Sequence, residues 1–555
     1  MPLKIALAQI NPTVGQLSKN EALHASAIQR AIADGAQLLV FPEMSILGYP
    51  PRDLVARQGV VEACAAAVAR LASIVPASML VLIGLPIPAR TRPFANALAL
   101  VRGGRIEGFA VKQLLPSYDV FDEDRHYEAG AHTTVIEHAN ERIAVMLCED
   151  FWQGGDVAGV RTYARDPVAQ ARAQGATVIA VASASPFVAG KEVAHETILA
   201  ARARESGVII VSVNAVGAND DLVFDGGSRV LARDGSALAQ CARFREDFTV
   251  IDSDCPRVNH SAPIAKSLDL DAERFHACVL GTRDYFGKTG HQRAVLGLSG
   301  GIDSALVAAI AAAAIGAENV TGLLMPSRYS SQGSIDEAHD SARLLRLGRI
   351  ETFDIDPIHR AYTSTVTRMF EVQGLTDENL QSRVRGVLLM LASNASGALV
   401  LTTGNKSEHA TGYATLYGDM NGALGPIGDL YKTQVYAMAN MLNARFDEFG
   451  FARAPIPMGS ITKAPSAELR EDQTDQDSLP PYEILDAVLQ VLIEGEGTIA
   501  HAMTVSGADE ALVTSVARML DRNQFKRDQA PVILKLSTRA FGRGRRFPIC
   551  AGSGR

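Results

Sequence analysis

Among the six cysteines of this 555-residue chain, Cys64, Cys148, Cys241, Cys255, Cys278 and Cys550, no C-x-x-C pair occurs. Zinc sites built on paired cysteines and dithiol redox chemistry therefore lack support. Positive charge is in deficit: the net charge is −8 and the pI about 5.9. That balance argues against a general nucleic-acid binder, although a local basic patch is compatible with it. Long apolar runs are missing too. The uncharged stretch from Ser304 to Ala317 is too short to span a bilayer. The opening residues, Met1-Pro-Leu-Lys-Ile-Ala-Leu-Ala-Gln9, read as a first strand and not as a signal peptide. No Walker A sequence is present. Gly281-Thr-Arg-Asp-Tyr-Phe-Gly-Lys-Thr289 has one residue too many between its glycines and precedes a strand instead of following one. No internal repeat is visible. The expectation is a soluble, cytoplasmic protein with reduced thiols.

What is there is globular: 47% of residues are hydrophobic and 21% charged. The length calls for two domains or three. Strand-like runs such as Lys4–Gln9, Leu38–Phe41, Leu80–Ile83, Ile143–Leu147, Val178–Ala182 and Val208–Val213 alternate with helical stretches such as Ala22–Ala33 and Val60–Ala72. This is an α/β pattern. Between Asp252 and Leu268 the periodicity gives way to Asp, Pro, Asn, Ser and Lys, which reads as a linker. The domains are expected at 1–253 and 270–555, with 254–269 joining them. The second α/β series has strands at Ala294–Leu298, Val320–Met325 and Leu399–Thr402. The acidic segment Glu471–Ser478, closed by Pro480 and Pro481, reads as a mobile loop.

The strongest signal is Ser299-Gly-Gly-Ile-Asp-Ser304, between an apolar strand (Ala294–Leu298) and an alanine-rich helix starting near Ala305. A loop so placed aims its backbone N–H groups and a helix N-terminus at one spot, which suits phosphate. Gly300 and Gly301 allow close backbone approach, and Ser299 and Ser304 supply hydroxyls. Asp303 repels a bare phosphate, so a metal ion is expected between them. A plain capped glycine turn is the bland alternative.

Three residues of the first half stand at the ends of apolar segments: Glu43 after Leu38–Pro42, Lys112 after Phe109–Val111, and Cys148 after Ile143–Leu147. Singly, each has an ordinary reading: a loop carboxylate, a surface lysine, a buried thiol. Together they have a chemistry. A carboxylate takes the thiol proton, the thiolate attacks an amide carbonyl, and an ammonium group stabilises the oxyanion. The carboxylate then activates water against the thioester.

The order and spacing of these three resemble the nitrilase, or carbon–nitrogen hydrolase, superfamily over roughly residues 1–251. The second half resembles the N-type ATP pyrophosphatases, and the combination resembles the glutamine-dependent NAD synthetases over essentially the whole chain. The resemblance implies an N-terminal α-β-β-α sandwich and a C-terminal Rossmann-like parallel-sheet domain. It implies glutamine binding by Tyr118, Ser185 and Lys191. It implies ATP binding by Gly297, Leu298, Ser299, Gly300, Gly301, Ile302, Asp303 and Ser304, and by Thr403, Lys432 and Ser466. Deamido-NAD would be met by Asn379, Glu408 and Lys526, and magnesium by Asp303 and Glu408. A homo-oligomer and internal passage of ammonia are further implications.

The implied reaction is ATP-dependent amidation of deamido-NAD to NAD with nitrogen from L-glutamine, giving AMP and pyrophosphate. Adenylation removes the carboxylate charge that repels a nucleophile and supplies a leaving group. Rival readings are another amidotransferase-fed pyrophosphatase, a tRNA-modifying enzyme and a non-catalytic binding protein. The first lacks its usual cysteine contexts here, the second its basic surface and extra cysteines. The third leaves both reactive sets unexplained.

Overall fold

The computed structural model describes residues 2–152, 163–254 and 268–551. The chain divides into two compact units, Met1–Leu268 and Asp269–Arg555. Most of the expected linker, Cys255 included, lies outside the described residues.

The first unit is built on two six-stranded sheets. One runs Asp247–Asp252, Lys4–Gln9, Leu38–Val40, Leu80–Pro88, Phe94–Arg102, Arg105–Val111 from edge to edge. The other runs Ala237–Gln240, Arg229–Leu231, Ile209–Asn214, Val178–Ser183, Glu141–Leu147, Thr134–His138. Period-two alternation sorts the side chains. In Lys4–Gln9, Ile5 and Leu7 join Leu38, Val40, Val145, Leu147 and Val211 in a core between the sheets. Ala6 and Ala8 face the other way, into a core with Ile28 and Ala31 of the helix Leu17–Ala33 and Val68 and Leu71 of Val60–Ala72. On the opposite flank, Pro167–Ala173 and Lys191–Ser206 cover Ala144, Met146, Ile179 and Val181. The result is an α-β-β-α sandwich, as the resemblance implied.

The second unit carries a four-stranded sheet in the order Arg349–Thr352, Val320–Leu324, Ala294–Gly297, Leu399–Val400, all parallel. Ala294–Gly297 comes first in the chain yet lies inside the sheet. The order of connection therefore reverses beside its carboxyl end, which is where open α/β sheets bind ligands. The helix that follows, Ile302–Ile315, is buried along most of its length, including Ala305, Leu306, Ala308, Ala309 and Ile310. It starts three residues earlier than expected, so Asp303 and Ser304 belong to its first turn. The rejected sequence Gly281–Thr289 lies inside the helix Leu270–Thr289, not in a phosphate loop. Among the described residues, no helix is long and apolar enough to cross a membrane.

Candidate active sites

In the first unit, the strands Leu38–Val40, Arg105–Val111 and Glu141–Leu147 end close to Glu43, Lys112 and Cys148 respectively. Glu43 sits in the turn beyond its strand, which stops at Val40, and Cys148 opens a short 3₁₀ turn. Lys112 Nζ donates to Glu43 Oε1 at 2.7 Å and to Glu123 Oε1 at 2.8 Å. Asn96 Nδ2 donates to Glu43 Oε1 at 2.7 Å, and the Ala184 backbone N–H donates to Oε2 at 3.2 Å. Tyr49 OH donates to Glu123 Oε1 at 2.9 Å. Lys112 and Glu43 are each only 1% exposed. Ions this dry persist only when paired and hydrogen-bonded.

The electrostatics follow from that burial. Burial works against the Lys112 charge, but Glu123 and Glu43 outweigh it and raise the ammonium well above its usual value. Burial, with the Glu43 charge adding to it, pushes Glu123 up to about 7 against the pull of Lys112. Burial also raises the Cys148 thiol; Glu43 adds to this and Lys112 opposes it. The resting thiol is thus protonated and needs a base to become a nucleophile. Its backbone has φ of 38°, a left-handed conformation rare for a side chain with Cβ. Such strain is characteristic of functional turns. Asp150 holds that turn by accepting from the N–H groups of Gln113 and Leu114 at 2.8 Å each and of Leu147 at 3.2 Å. The segment after Lys112 and the turn at Cys148 are thereby fastened to one carboxylate.

Tyr118, Ser185 and Lys191 fall in two groups. Tyr118 OH donates to Glu149 at 3.1 Å, next to the nucleophile, and Tyr163 OH donates to the same carboxylate at 2.8 Å. Lys191 Nζ donates to Ser185 Oγ at 2.7 Å and to the Pro186 carbonyl at 3.1 Å. Glu149 and Lys191 both act electrostatically on Cys148.

In the second unit, a cavity of about 280 Å³ opens at the carboxyl ends of the parallel strands. Gly297, Leu298, Ser299, Gly301, Ile302, Asp303 and Ser304 line it, with Thr403, Glu408, Lys432 and Ser466. Gly300 is behind the lining. Its φ is +77°, and a Cβ there would lie 2.1 Å from the Ser334 carbonyl oxygen. The loop is tied internally: Ser299 and Ser304 hydroxyls are 3.2 Å apart, and the Gly301 N–H donates to Ser299 Oγ at 3.2 Å. Lys432 Nζ reaches Asp303 Oδ2 at 2.5 Å and Glu408 Oε1 at 3.6 Å. Asn405 bridges them, donating from Nδ2 to Asp303 Oδ1 at 2.9 Å and capping the helix Lys406–Thr411. Burial, reinforced by the Asp303 charge, raises Glu408 to about 8 despite Lys432.

Asn379 and Lys526 do not line this cavity; both hold the loop beside it. Thr415 Oγ1 donates to Asn379 Oδ1 at 2.8 Å. Lys526 Nζ donates to the carbonyls of Gly412 and Ala414 at 2.8 and 2.7 Å.

Asp303 and Glu408 fit magnesium. Magnesium typically takes one or two carboxylates and completes its shell with water and substrate phosphate. Burial raises Glu408, with the Asp303 charge adding to it, and a cation shared by the two carboxylates relieves that cost. No larger group of three or more His, Cys, Asp or Glu suited to a metal occurs among the described residues.

Several site residues were not legible beforehand. Glu123 lies in a charged run, Asp122-Glu-Asp-Arg125, that reads as a solvated loop. The segment Glu471–Ser478, expected to be a mobile loop, instead turns Asp475 inward: it is 3% exposed, lines the cavity and accepts from Tyr482 OH at 2.7 Å. Arg385 and Lys463 also line the cavity.

A strand-end thiol beside a dry Glu–Lys–Glu cluster, and a glycine–serine loop at a parallel-sheet switch point, define a two-site enzyme that joins an amide hydrolase to a nucleotide-binding synthetase. The family comparisons match both halves: carbon-nitrogen hydrolase over residues 4–261 and NAD synthase over residues 275–530. Glutamine-dependent NAD(+) synthetases from Synechocystis sp. and Rhodobacter capsulatus are 40% and 42% identical to the chain, each comparison covering 98% of both sequences. The solved structure of the Acinetobacter baumannii glutamine-dependent NAD+ synthetase, in complex with ADP, is 35% identical with a TM-score of 0.77, covering 99% of this chain and 98% of that one. A second, from Cytophaga hutchinsonii, shares the fold at 21% identity and a TM-score of 0.83, covering 100% of this chain and 98% of that one. The chain belongs to the glutamine-dependent NAD(+) synthetases.

Proposed function

We propose that the first unit hydrolyses the side-chain amide of L-glutamine and that the second uses ATP and the released ammonia to amidate deamido-NAD. Glu43 accepts the Cys148 thiol proton, and the thiolate adds to the amide carbon. Lys112, kept charged by two carboxylates, stabilises the oxyanion. Collapse of the tetrahedral species expels ammonia, protonated by Glu43. Glu43 then deprotonates water, which cleaves the thioester and releases glutamate. Ser185 and Lys191 suit the α-carboxylate of glutamine, and Tyr118, through Glu149, its α-ammonium end.

In the second unit the Ser299–Ser304 loop holds the β- and γ-phosphates of ATP. The nicotinate carboxylate of deamido-NAD attacks the α-phosphorus, and pyrophosphate leaves. Ammonia then adds to the acyl adenylate, AMP leaves, and NAD results. Lys432 stands where charge accumulates on the departing phosphate. Magnesium, held by Asp303 and Glu408, would neutralise charge on the pyrophosphate. Thr403 and Ser466 contact ATP from the cavity wall. Asn379 and Lys526 serve the dinucleotide beside the 412–415 loop.

Ammonia is mostly protonated in neutral water and cannot then attack, so its transfer without mixing with bulk solvent belongs to this proposal. So does a homo-oligomer. The faces of Asp356–Val366 and Leu375–Ser396, with the turn between them, expose Met369, Phe370, Leu375 and Leu391, at 80% for Met369 and 71% for Leu375. Apolar side chains grouped this way usually meet a partner, and a second copy of the chain is the simplest.

The observation that carries the proposal is the Asp303–Lys432–Glu408 arrangement beside a phosphate loop that lacks a Walker lysine. Mass-spectrometric analysis of products from protein, ATP, magnesium, glutamine and deamido-NAD tests it. NAD and AMP in equal amounts are expected. ADP and orthophosphate as the nucleotide products would end the adenylation reading.

A further inference from the structure

His409 follows Glu408 on the short helix Lys406–Thr411 and lines the synthetase cavity. It is 2% exposed, and neither ring nitrogen has a hydrogen-bond partner among the described residues. Buried His24, by contrast, bonds the Asn20 carbonyl at 2.7 Å through Nδ1 and Ser45 Oγ at 2.9 Å through Nε2. A buried polar group left unmet costs free energy, and native folds rarely keep one without a use. The position of the ring says what it could meet. A Cβ placed on Gly404 would lie 3.1 Å from His409 Nε2 and 3.9 Å from Glu408 Oε2, so the two side chains flank the same glycine. That glycine follows the strand Leu399–Val400, across the crevice from the loop that takes the triphosphate.

We propose that His409 makes a direct hydrogen bond to the nicotinate nucleoside half of the acceptor dinucleotide, through a ribose hydroxyl or a ring-borne polar atom. Three relations support this, resting on the synthetase reading above. The Asp303–Lys432–Glu408 cluster serves the departing pyrophosphate, and the nicotinate carboxylate attacks the adjoining α-phosphate, so a group at the edge of that cluster is placed to meet the nicotinate nucleoside. The carboxylates nearby disfavour a phosphate oxygen at the imidazole. Gly404, with no side chain, leaves the ring's edge unshielded by a Cβ at that point. His409 is thus a specificity contact for the acceptor, separate from the residues that hold ATP.

The test uses the full-length protein with ammonium salt as nitrogen source, measuring KM for deamido-NAD and for ATP in wild type, His409→Leu and His409→Gln. The leucine variant keeps bulk without hydrogen bonding, and the glutamine variant retains a donor and an acceptor. KM for deamido-NAD is expected to rise about tenfold in His409→Leu, the scale of one hydrogen bond to a buried group, and less in His409→Gln. KM for ATP should stay within about twofold in both, well under the scale of one such bond. Without substrates, His409→Leu should melt at or above the wild-type temperature, because it removes two unmet polar atoms. A folded leucine variant with unchanged KM for deamido-NAD would overturn the proposal. So would equal rises for both substrates together with a lower melting temperature, which would assign the ring to packing. A wild type that forms no NAD in this assay would instead remove the synthetase reading itself.

Discussion

Glu123 and Glu43 place one carboxylate oxygen each on the same ammonium, Lys112 Nζ, at 2.8 and 2.7 Å. One lysine charge cannot satisfy two dry carboxylates, and Glu123 bears the excess, held at about 7 against an ordinary 4.5. In the proposed mechanism Glu43 is the proton acceptor for Cys148, while Glu123, with Tyr49 bonded to it, positions the lysine. Glu123→Leu should lower kcat for glutamine hydrolysis, because Lys112 loses one of the two groups that position it, with the roughly hundredfold cost of losing an oriented oxyanion donor outright as the upper bound. Synthesis from ammonium salts should continue. Unimpaired glutaminase activity in the variant would remove Glu123 from the site.

The same pair makes a pH prediction. Because the folded-state value of Glu123 lies above the unfolded one, the native protein binds the extra proton between about 4.5 and 7. Its contribution to stability is full below that window and is lost as pH rises through it. Glu123→Gln has no proton to lose. Its melting temperature relative to wild type should therefore rise from pH 5 to pH 8. A constant difference across that range would show that Glu123 is not held protonated by the fold.

The two chemistries should separate by mutation. Cys148→Ala should abolish glutamine-supported NAD formation and leave ammonium-supported formation largely intact. Asp303→Ala should stop AMP production with either nitrogen source, since it removes the partner of Lys432 and half of the carboxylate pair. Isotope-labelled ammonium and glutamine, followed into NAD by mass spectrometry, distinguish these outcomes. Loss of both activities in Cys148→Ala would refute independent sites.

Much of this was legible because the chemistry sits at chain landmarks. Cys148, Lys112 and the Ser299–Ser304 loop each follow an apolar strand, and a strand's carboxyl end is visible in sequence. Glu123 was not legible, because its burial depends on Tyr49, which is distant in the chain, and on a turn that brings it back onto Lys112, both of which arrive only with the tertiary fold. His409 was hidden for the same reason: nothing local reveals that its ring nitrogens go unmet. Asp475 was misread because its acidic, polar neighbourhood is typical of a solvated loop, whereas Tyr482 draws it inward. Arg545 sits in the locally basic run Arg539-Ala-Phe-Gly-Arg-Gly-Arg-Arg546, which by itself suggests a solvated surface, yet it is buried, lies over the Phe547 ring at 4.4 Å and donates to Gln524 at 3.1 Å.

Gly300 gives a backbone test of the phosphate loop. Alanine there must adopt a φ of +77° and place its Cβ 2.1 Å from the Ser334 carbonyl. The conformational penalty alone is about 1–2 kcal/mol, and the clash with rigid backbone adds to it. Gly300→Ala should lower the melting temperature and reduce ATP-dependent NAD formation by at least an order of magnitude. Glutamine hydrolysis should persist, because the thiol site lies in the other compact unit. A variant with native stability and activity would mean that the loop does not need this geometry.

Lys526 separates direct contact from loop support. Its ammonium already donates to the carbonyls of Gly412 and Ala414, and burial lowers its pKa from the usual lysine value. An ammonium group spent on two carbonyls fixes the 412–415 loop, and in the proposed function it acts on the dinucleotide through that loop. Asn379 reaches the same loop through Thr415. Lys526→Met and Asn379→Ala should therefore behave alike. Each should raise KM for deamido-NAD several-fold, with a smaller change in KM for ATP, and the double variant should cost less than the two effects summed. Such non-additivity is expected of residues that share one structural element. Hydrogen exchange of the 412–415 amides supplies the second readout, with faster exchange expected in both single variants. Full additivity with unchanged exchange would instead make Lys526 a contact that acts on the dinucleotide alone.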